Sequence, residues 1–228
     1  MPTLSALQHD ALVELFNIGV GQAASALSDI VGDEVRMAVP TLCFLERAAA
    51  AALLAGEMRI GEAQADDRRG DVRVCAVRQH YDGAFRTEAI VMFAEDKSLD
   101  IVRLMVGDAV PFEELTAMEQ EAMGEIGNIV LNSCVGTLAN LFGSELRGSL
   151  PVVQLGSSAS LLGVGEGSVH GNQVVLMLGI DLALDARRIH GYIAFVLDMA
   201  ALDDLLVLVD RWLARGTAQY PAIPPREA

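Results

Sequence analysis

Basic residues are scarce: 16 Lys and Arg face 31 Asp and Glu in a chain of 228 residues, a net charge of −15. So acidic a chain repels phosphate backbones and anionic bilayers, and no basic run offsets it. Nucleic acid and membrane surfaces are therefore not expected as partners. Cysteine is almost absent. Cys43, Cys75 and Cys134 are odd in number, far apart and without a C-x-x-C pair. Neither a disulfide framework nor a zinc site is expected, and reduced thiols fit a cytoplasmic chain. No long apolar run is free of charge. The most apolar stretch, 189–212, carries Asp198, Asp203, Asp204 and Asp210, which a lipid-facing helix does not. Residues 1–10 show no basic n-region and no apolar h-region, so no signal peptide is expected. What is present is apolar bulk: 52% of the chain is hydrophobic and 21% charged, which excludes wholesale disorder. The length suits one or two domains and a sizeable core.

The chain repeats itself. Residues 27–36, LSDIVGDEVR, lie 111 residues before 138–147, LANLFGSELR, with Leu27/Leu138, Gly32/Gly143, Glu34/Glu145 and Arg36/Arg147 identical. Glu14/Glu125, Asn17/Asn128 and Pro40/Pro151 keep the same register. Two tandem copies, 1–110 and 112–213, are therefore expected within one 1–213 domain.

Each copy reads in the same order. Apolar residues at helical spacing mark long helices over 7–31 and 114–142, ending near Gly32 and Gly143. Strands follow over 34–45 and 145–155, each containing a proline, which predicts an edge position or a bulge. Short helices are expected at 48–55 and 159–162. Strand pairs come next, 71–80 with 86–95 and 172–182 with 188–197, and Asp82-Gly83 reads as the hairpin turn of the first pair. Helices over 98–106 and 199–213 close the copies. The tail 214–228, with Pro221, Pro224 and Pro225, reads as disordered, and the polar run 61–71 as a solvated loop.

On the first helix Asp10, Glu14 and Asn17 stand at i, i+4 and i+7, a stripe about 10 Å long on one face. Glu121, Glu125 and Asn128 repeat it, and 22 residues separate each Asn from Pro40 or Pro151. The plain reading is a solvated helix face. A pair of general acid-base carboxylates, Asp10 and Glu14, is the other bare reading. Neighbours on one exposed helix, however, lack the opposed placement around a substrate that such a pair needs. His9, His80, His170 and His190 share no spacing and read as ordinary surface or strand residues. Gly19 and Gly21 form no phosphate loop, since no strand precedes them and no Lys follows; they are expected to pack the helix on the sheet.

The pattern Asp/Ser-x3-Glu-x2-Asn-x22-Pro resembles the signature of the CheC-type chemotaxis phosphatases, the family that also includes CheX and FliY. This chain reads Asp10-x3-Glu14-x2-Asn17-x22-Pro40 and Glu121-x3-Glu125-x2-Asn128-x22-Pro151, with Glu121 departing from the pattern. The similarity spans about residues 5–213. Two complete motifs resemble the two-motif CheC branch, and no FliN-like extension of the FliY kind is expected. The resemblance implies an α+β fold: a duplicated unit with pseudo-two-fold symmetry, a mainly antiparallel sheet and two long helices side by side. It also implies hydrolysis of the aspartyl phosphate of a CheY-like response regulator, or, alternatively, a non-enzymatic adaptor binding CheD or a regulator. In the enzymatic case Asn17 and Asn128 would orient the attacking water and Glu14 and Glu125 would pair with the regulator's Lys. Asp10 and Glu121 would make partner contacts. The Mg²⁺ would belong to the regulator, with no cofactor or metal on this chain. Glu14, Asn17, Glu125 and Asn128 should then be largely exposed.

Overall fold

The computed structural model describes residues 4–60, 73–106, 112–164, 173–184 and 187–219. The polar run 61–71, His170 and residues 220–228 lie outside them. Helix α1, Ala6–Val31, starts in a capping box: Ser5 Oγ accepts from Gln8 N–H, and Gln8 Oε1 accepts from Ser5 N–H. It stops at Gly32, whose φ of 76° only glycine adopts cheaply. There follow β1 (Val35–Glu46), α2 (Arg47–Ile60), β2 (Arg73–Gly83), β3 (Thr87–Ala94) and α3 (Glu95–Val106). The second copy holds α4 (Phe112–Phe142), β4 (Leu146–Gly148), β5 (Val152–Ser157), α5 (Ser158–Leu161), β6 (Gln173–Leu184), β7 (Arg187–Asp198) and α6 (Met199–Gln219).

The strands form one antiparallel sheet in the order β1-β6-β7-β3-β2-β4, with β5 also on β2. The first strand of each copy has crossed to the other copy's hairpin: β1 pairs with β6, while β4 and β5 pair with β2. The registers are symmetric. Leu42 faces Leu178 as Val153 faces Val77, and Val91 faces Ile193 at the centre, where the pseudo-two-fold axis passes. The fold is α+β, as expected.

Both sheet faces are covered, so the strands alternate between two apolar layers. Val77, Val91, Leu178 and Phe195 point to the face carrying α1, α3, α4 and α6. Ala76, Ile90, Met177 and Ala194 point to α2 and α5. α1 and α4 lie side by side: a Cβ on Gly19 would sit 2.8 Å from Cys134 Cα, and Thr137 Oγ1 donates to Gln22 Oε1 at 2.8 Å.

Several expectations need correction. Gly19 packs against α4 and not against the sheet, and Gly21 is exposed with nothing near its Cβ position. The helix glycine that does seat on the sheet is Gly127, where a Cβ would overlap Val77. Asp82 and Gly83 are not the hairpin turn. They extend β2 to pair with Arg147 and Leu146 of β4, Gly83 takes a φ of 145°, and the chain turns over residues 84–86. A Cβ on Gly83 would overlap the Glu145 carbonyl, so glycine serves a close backbone approach there. The strand expected over 145–155 is split into β4 and β5. Its counterpart β1 stays whole, with a register shift between Ala38 and Thr41 around Pro40. Pro40 thus sits on an edge strand at its irregularity and Pro151 in the gap between the edge segments β4 and β5, where a missing N–H is tolerated. The last helix runs on to Gln219, past the expected end at 213.

Candidate functional site

The stripe on α1 lies beside the irregular turn of β1. Asp10 and Glu14 are exposed, and Asn17 is half-buried. Its carboxamide is fixed at both ends: Oδ1 accepts from the Val39 N–H at 3.1 Å, and Nδ2 donates to the Val13 carbonyl at 3.0 Å. Both partners are backbone groups of known polarity, so the amide orientation is unambiguous. The 22-residue gap between Asn and Pro acquires a physical meaning here. The strand loses its ladder where Pro40 follows Val39, and the Asn oxygen takes the N–H the ladder leaves over. Asn17 is therefore less open than expected: half-buried and bonded, though at the helix–strand seam and outside the core. A carbonyl oxygen has two lone pairs and an amide nitrogen two hydrogens, so each end has capacity for one further bond.

The second stripe has the same placement and a different foundation. Glu121 and Glu125 are exposed, and Asn128 is half-buried. Asn128 Oδ1 accepts from Gln79 Nε2 at 3.1 Å and from Asn132 Nδ2 at 2.7 Å. Gln79, 2% exposed, also donates from Nε2 to the Ser149 carbonyl at 2.9 Å, which fixes its own orientation. The Tyr81 hydroxyl lies 3.0 Å from Gln79 Oε1 and 2.9 Å from Asn132 Oδ1 and has one proton for the two. Burial pushes the Tyr81 phenol well above its ordinary pKa, so that proton stays in place. By the symmetric register, Gln79, Tyr81 and Asn132 stand where the first copy has Ile180, Leu182 and Gly21. Sequence reasoning missed this network. Its signal was two polar residues, Gln79 and Tyr81, at inward strand positions that are apolar in the other copy.

The surroundings differ as well. Leu150, next to Ser149, is 84% exposed, whereas its counterpart Val39 is 5% exposed. No ion pair among the described residues engages Glu14, Glu121 or Glu125. These carboxylates face solvent. Among the described residues, no group of three or more His, Cys, Asp or Glu side chains is placed to hold a metal ion. His9 is half-buried, with Nε2 3.4 Å from the Leu42 carbonyl and Nδ1 3.6 Å from Asp10. His80 and His190 are exposed on strands, and His190 Nδ1 is 2.6 Å from Asp181. No described helix is long and apolar enough to cross a membrane.

The class this geometry defines is a duplicated α+β sheet with a Glu/Asn stripe on each of two long helices. The fold is shared with FliY of Thermotoga maritima, at 19% identity and a TM-score of 0.68, covering 92% of this chain and all of that one. It is shared too with FliM of H. pylori, solved in complex with SpeE, at 10% identity and 0.62, covering 92% and 97%. The FliM middle domain of Vibrio alginolyticus is also similar, at 11% identity and 0.57, covering 86% and 99%. No curated protein matches the sequence. Residues 7–43, which hold the first motif from Asp10 to Pro40, match the model of the CheC-like family. The family match concerns that segment, and the likeness to the solved structures is one of fold.

Proposed function

We propose that the chain is a phosphatase of the aspartyl phosphate on a CheY-like response regulator, acting in the cytoplasm. The observation that carries this reading is the repetition at two symmetric positions of one arrangement. In each, an exposed glutamate lies one helical turn from an asparagine held at the helix–strand seam. Phosphoryl transfer asks little covalent chemistry of the protein; a water must be held in line and charge stabilised. Asn17 and Asn128 have the functional groups for it, an acceptor for the water and a donor toward a phosphoryl oxygen. Glu14 and Glu125 would meet the regulator's lysine, with Asp10 and Glu121 in peripheral contacts, and the regulator would bring its own Mg²⁺.

A second reading is a non-enzymatic adaptor that binds a regulator or CheD. It is favoured by the engagement of both ends of the Asn17 amide in holding the fold, and by the shared fold of FliM, which has been solved in complexes with SpeE and with FliG. Phosphate release from phosphorylated receiver domains, with and without Asn17 and Asn128, separates the two. The enzyme accelerates release through these residues, and the adaptor binds without accelerating.

A further inference from the structure

We infer that Gln79 is the positioning residue of the second site, doing with a side chain what the backbone does at the first, and that Asn132 is a placeholder which a bound regulator displaces. The inference rests on the phosphatase reading and concerns how its second site is built. In the first copy the Asn17 oxygen is aimed by the Val39 N–H, and the strand positions matching Gln79 and Tyr81 are the buried, apolar Ile180 and Leu182. The second copy does not reproduce that strand geometry: β4 ends at Gly148, β5 begins at Val152, and Leu150 swings out to 84% exposure. A donor must come from elsewhere, and Gln79 supplies it. It is buried, its Nε2 is anchored on the Ser149 carbonyl, and its Oε1 faces the Tyr81 hydroxyl, so the hydrogen aimed at Asn128 is fixed in direction. Asn132 is different. It is exposed, and its bond to Asn128 occupies the second lone pair of the same oxygen, the one a water would need. Gly21 stands at the corresponding place on α1 and brings no such donor to Asn17. The first site is thus open for water as built, and the second opens only when Asn132 turns away.

The experiment uses the full chain in an Asn17→Ala background, which leaves the second site to be read alone. Gln79→Met is near-isosteric and removes the donor; Asn132→Ala is a surface change that keeps Gln79 in place. In the free protein, the side-chain NH₂ signals of Asn128 in ¹⁵N–¹H NMR should shift and exchange faster with solvent in Gln79→Met. With a phosphorylated receiver domain that the parent dephosphorylates, Gln79→Met should lower the saturating rate on the order of tenfold, as expected for loss of one orienting hydrogen bond. The half-saturating regulator concentration should stay the same. Asn132→Ala should hold or raise the saturating rate. Unchanged Asn128 signals in Gln79→Met overturn the inference, as does an equal fall of rate in both variants. If no receiver domain is dephosphorylated by wild type, it is the phosphatase reading that fails. The Asn128 signals alone then decide whether Gln79 positions that side chain.

Discussion

Asn17→Ala deletes the acceptor of a backbone N–H that nothing else in the strand takes up. Val39 is 5% exposed and its N–H points to Asn17 Oδ1 at 3.1 Å, so truncation strands a buried donor beside the Pro40 irregularity. Leaving such a group unpaired costs about 1–3 kcal/mol, and half-exposure of Asn17 lets water in and favours the lower half of that range. Alanine returns about 0.5 kcal/mol through its better helix propensity. The net expectation is a loss of about 1 kcal/mol. Asn128→Ala also strands a donor: one Nε2 hydrogen of Gln79, 2% exposed, keeps the Ser149 carbonyl while the other loses its acceptor, so a loss of similar size, about 1 kcal/mol, is expected. Urea unfolding followed by circular dichroism reads both, with the m-value unchanged and the midpoint lower than wild type for each. Equal midpoints for Asn17→Ala and wild type would refute the assignment of Asn17 to the strand N–H.

Two glycines only two residues apart should respond with opposite sign in the same assay. Gly21→Ala, exposed and with open space at its Cβ, should stabilise by roughly 0.5–1 kcal/mol through helix propensity. Gly19→Ala drives a methyl to 2.8 Å from Cys134 Cα and should destabilise by about 1–2 kcal/mol. Thiol titration at pH 8 should label Cys43 first. Burial raises Cys75 and Cys134 to about 12, so both stay protonated and silent until denaturant is added. Glu14→Ala should weaken binding of a regulator without changing stability, and the difference from wild type should shrink as salt rises, read by titration calorimetry at two ionic strengths.

Helices and strands were legible because their apolar periods are strong and the repeat doubles each signal; 7–31 was expected and Ala6–Val31 is observed. Proline positions forecast the edge strands correctly, since the missing N–H constrains the ladder wherever it falls. What failed were features decided by contacts distant in sequence. Asp82-Gly83 has the composition of a hairpin turn, yet β4 arrives from the other copy and holds both residues in the ladder. Gly19 and Gly21 look alike along the chain, and only the position of α4 tells them apart. At the site, the exposure of both glutamates followed from the partner contact that the resemblance implied for them. The bonding of Asn17 to Val39 depends on a strand irregularity, and that of Asn128 to Gln79 on the exchange of strands between copies. No local pattern encodes either.

The central claim, hydrolysis of an aspartyl phosphate by two asparagines, is tested most directly by phosphate release from a panel of phosphorylated receiver domains. Wild type, Asn17→Ala, Asn128→Ala and the double variant are compared at a denaturant-free temperature where all four are folded. Loss of one preorganised polar group should slow its own site on the order of 10²-fold. Each single variant should therefore keep substantial total activity, with the first site carrying at least half. The double variant should approach the regulator's own decay rate. A folded double variant that releases phosphate as fast as wild type would contradict the account.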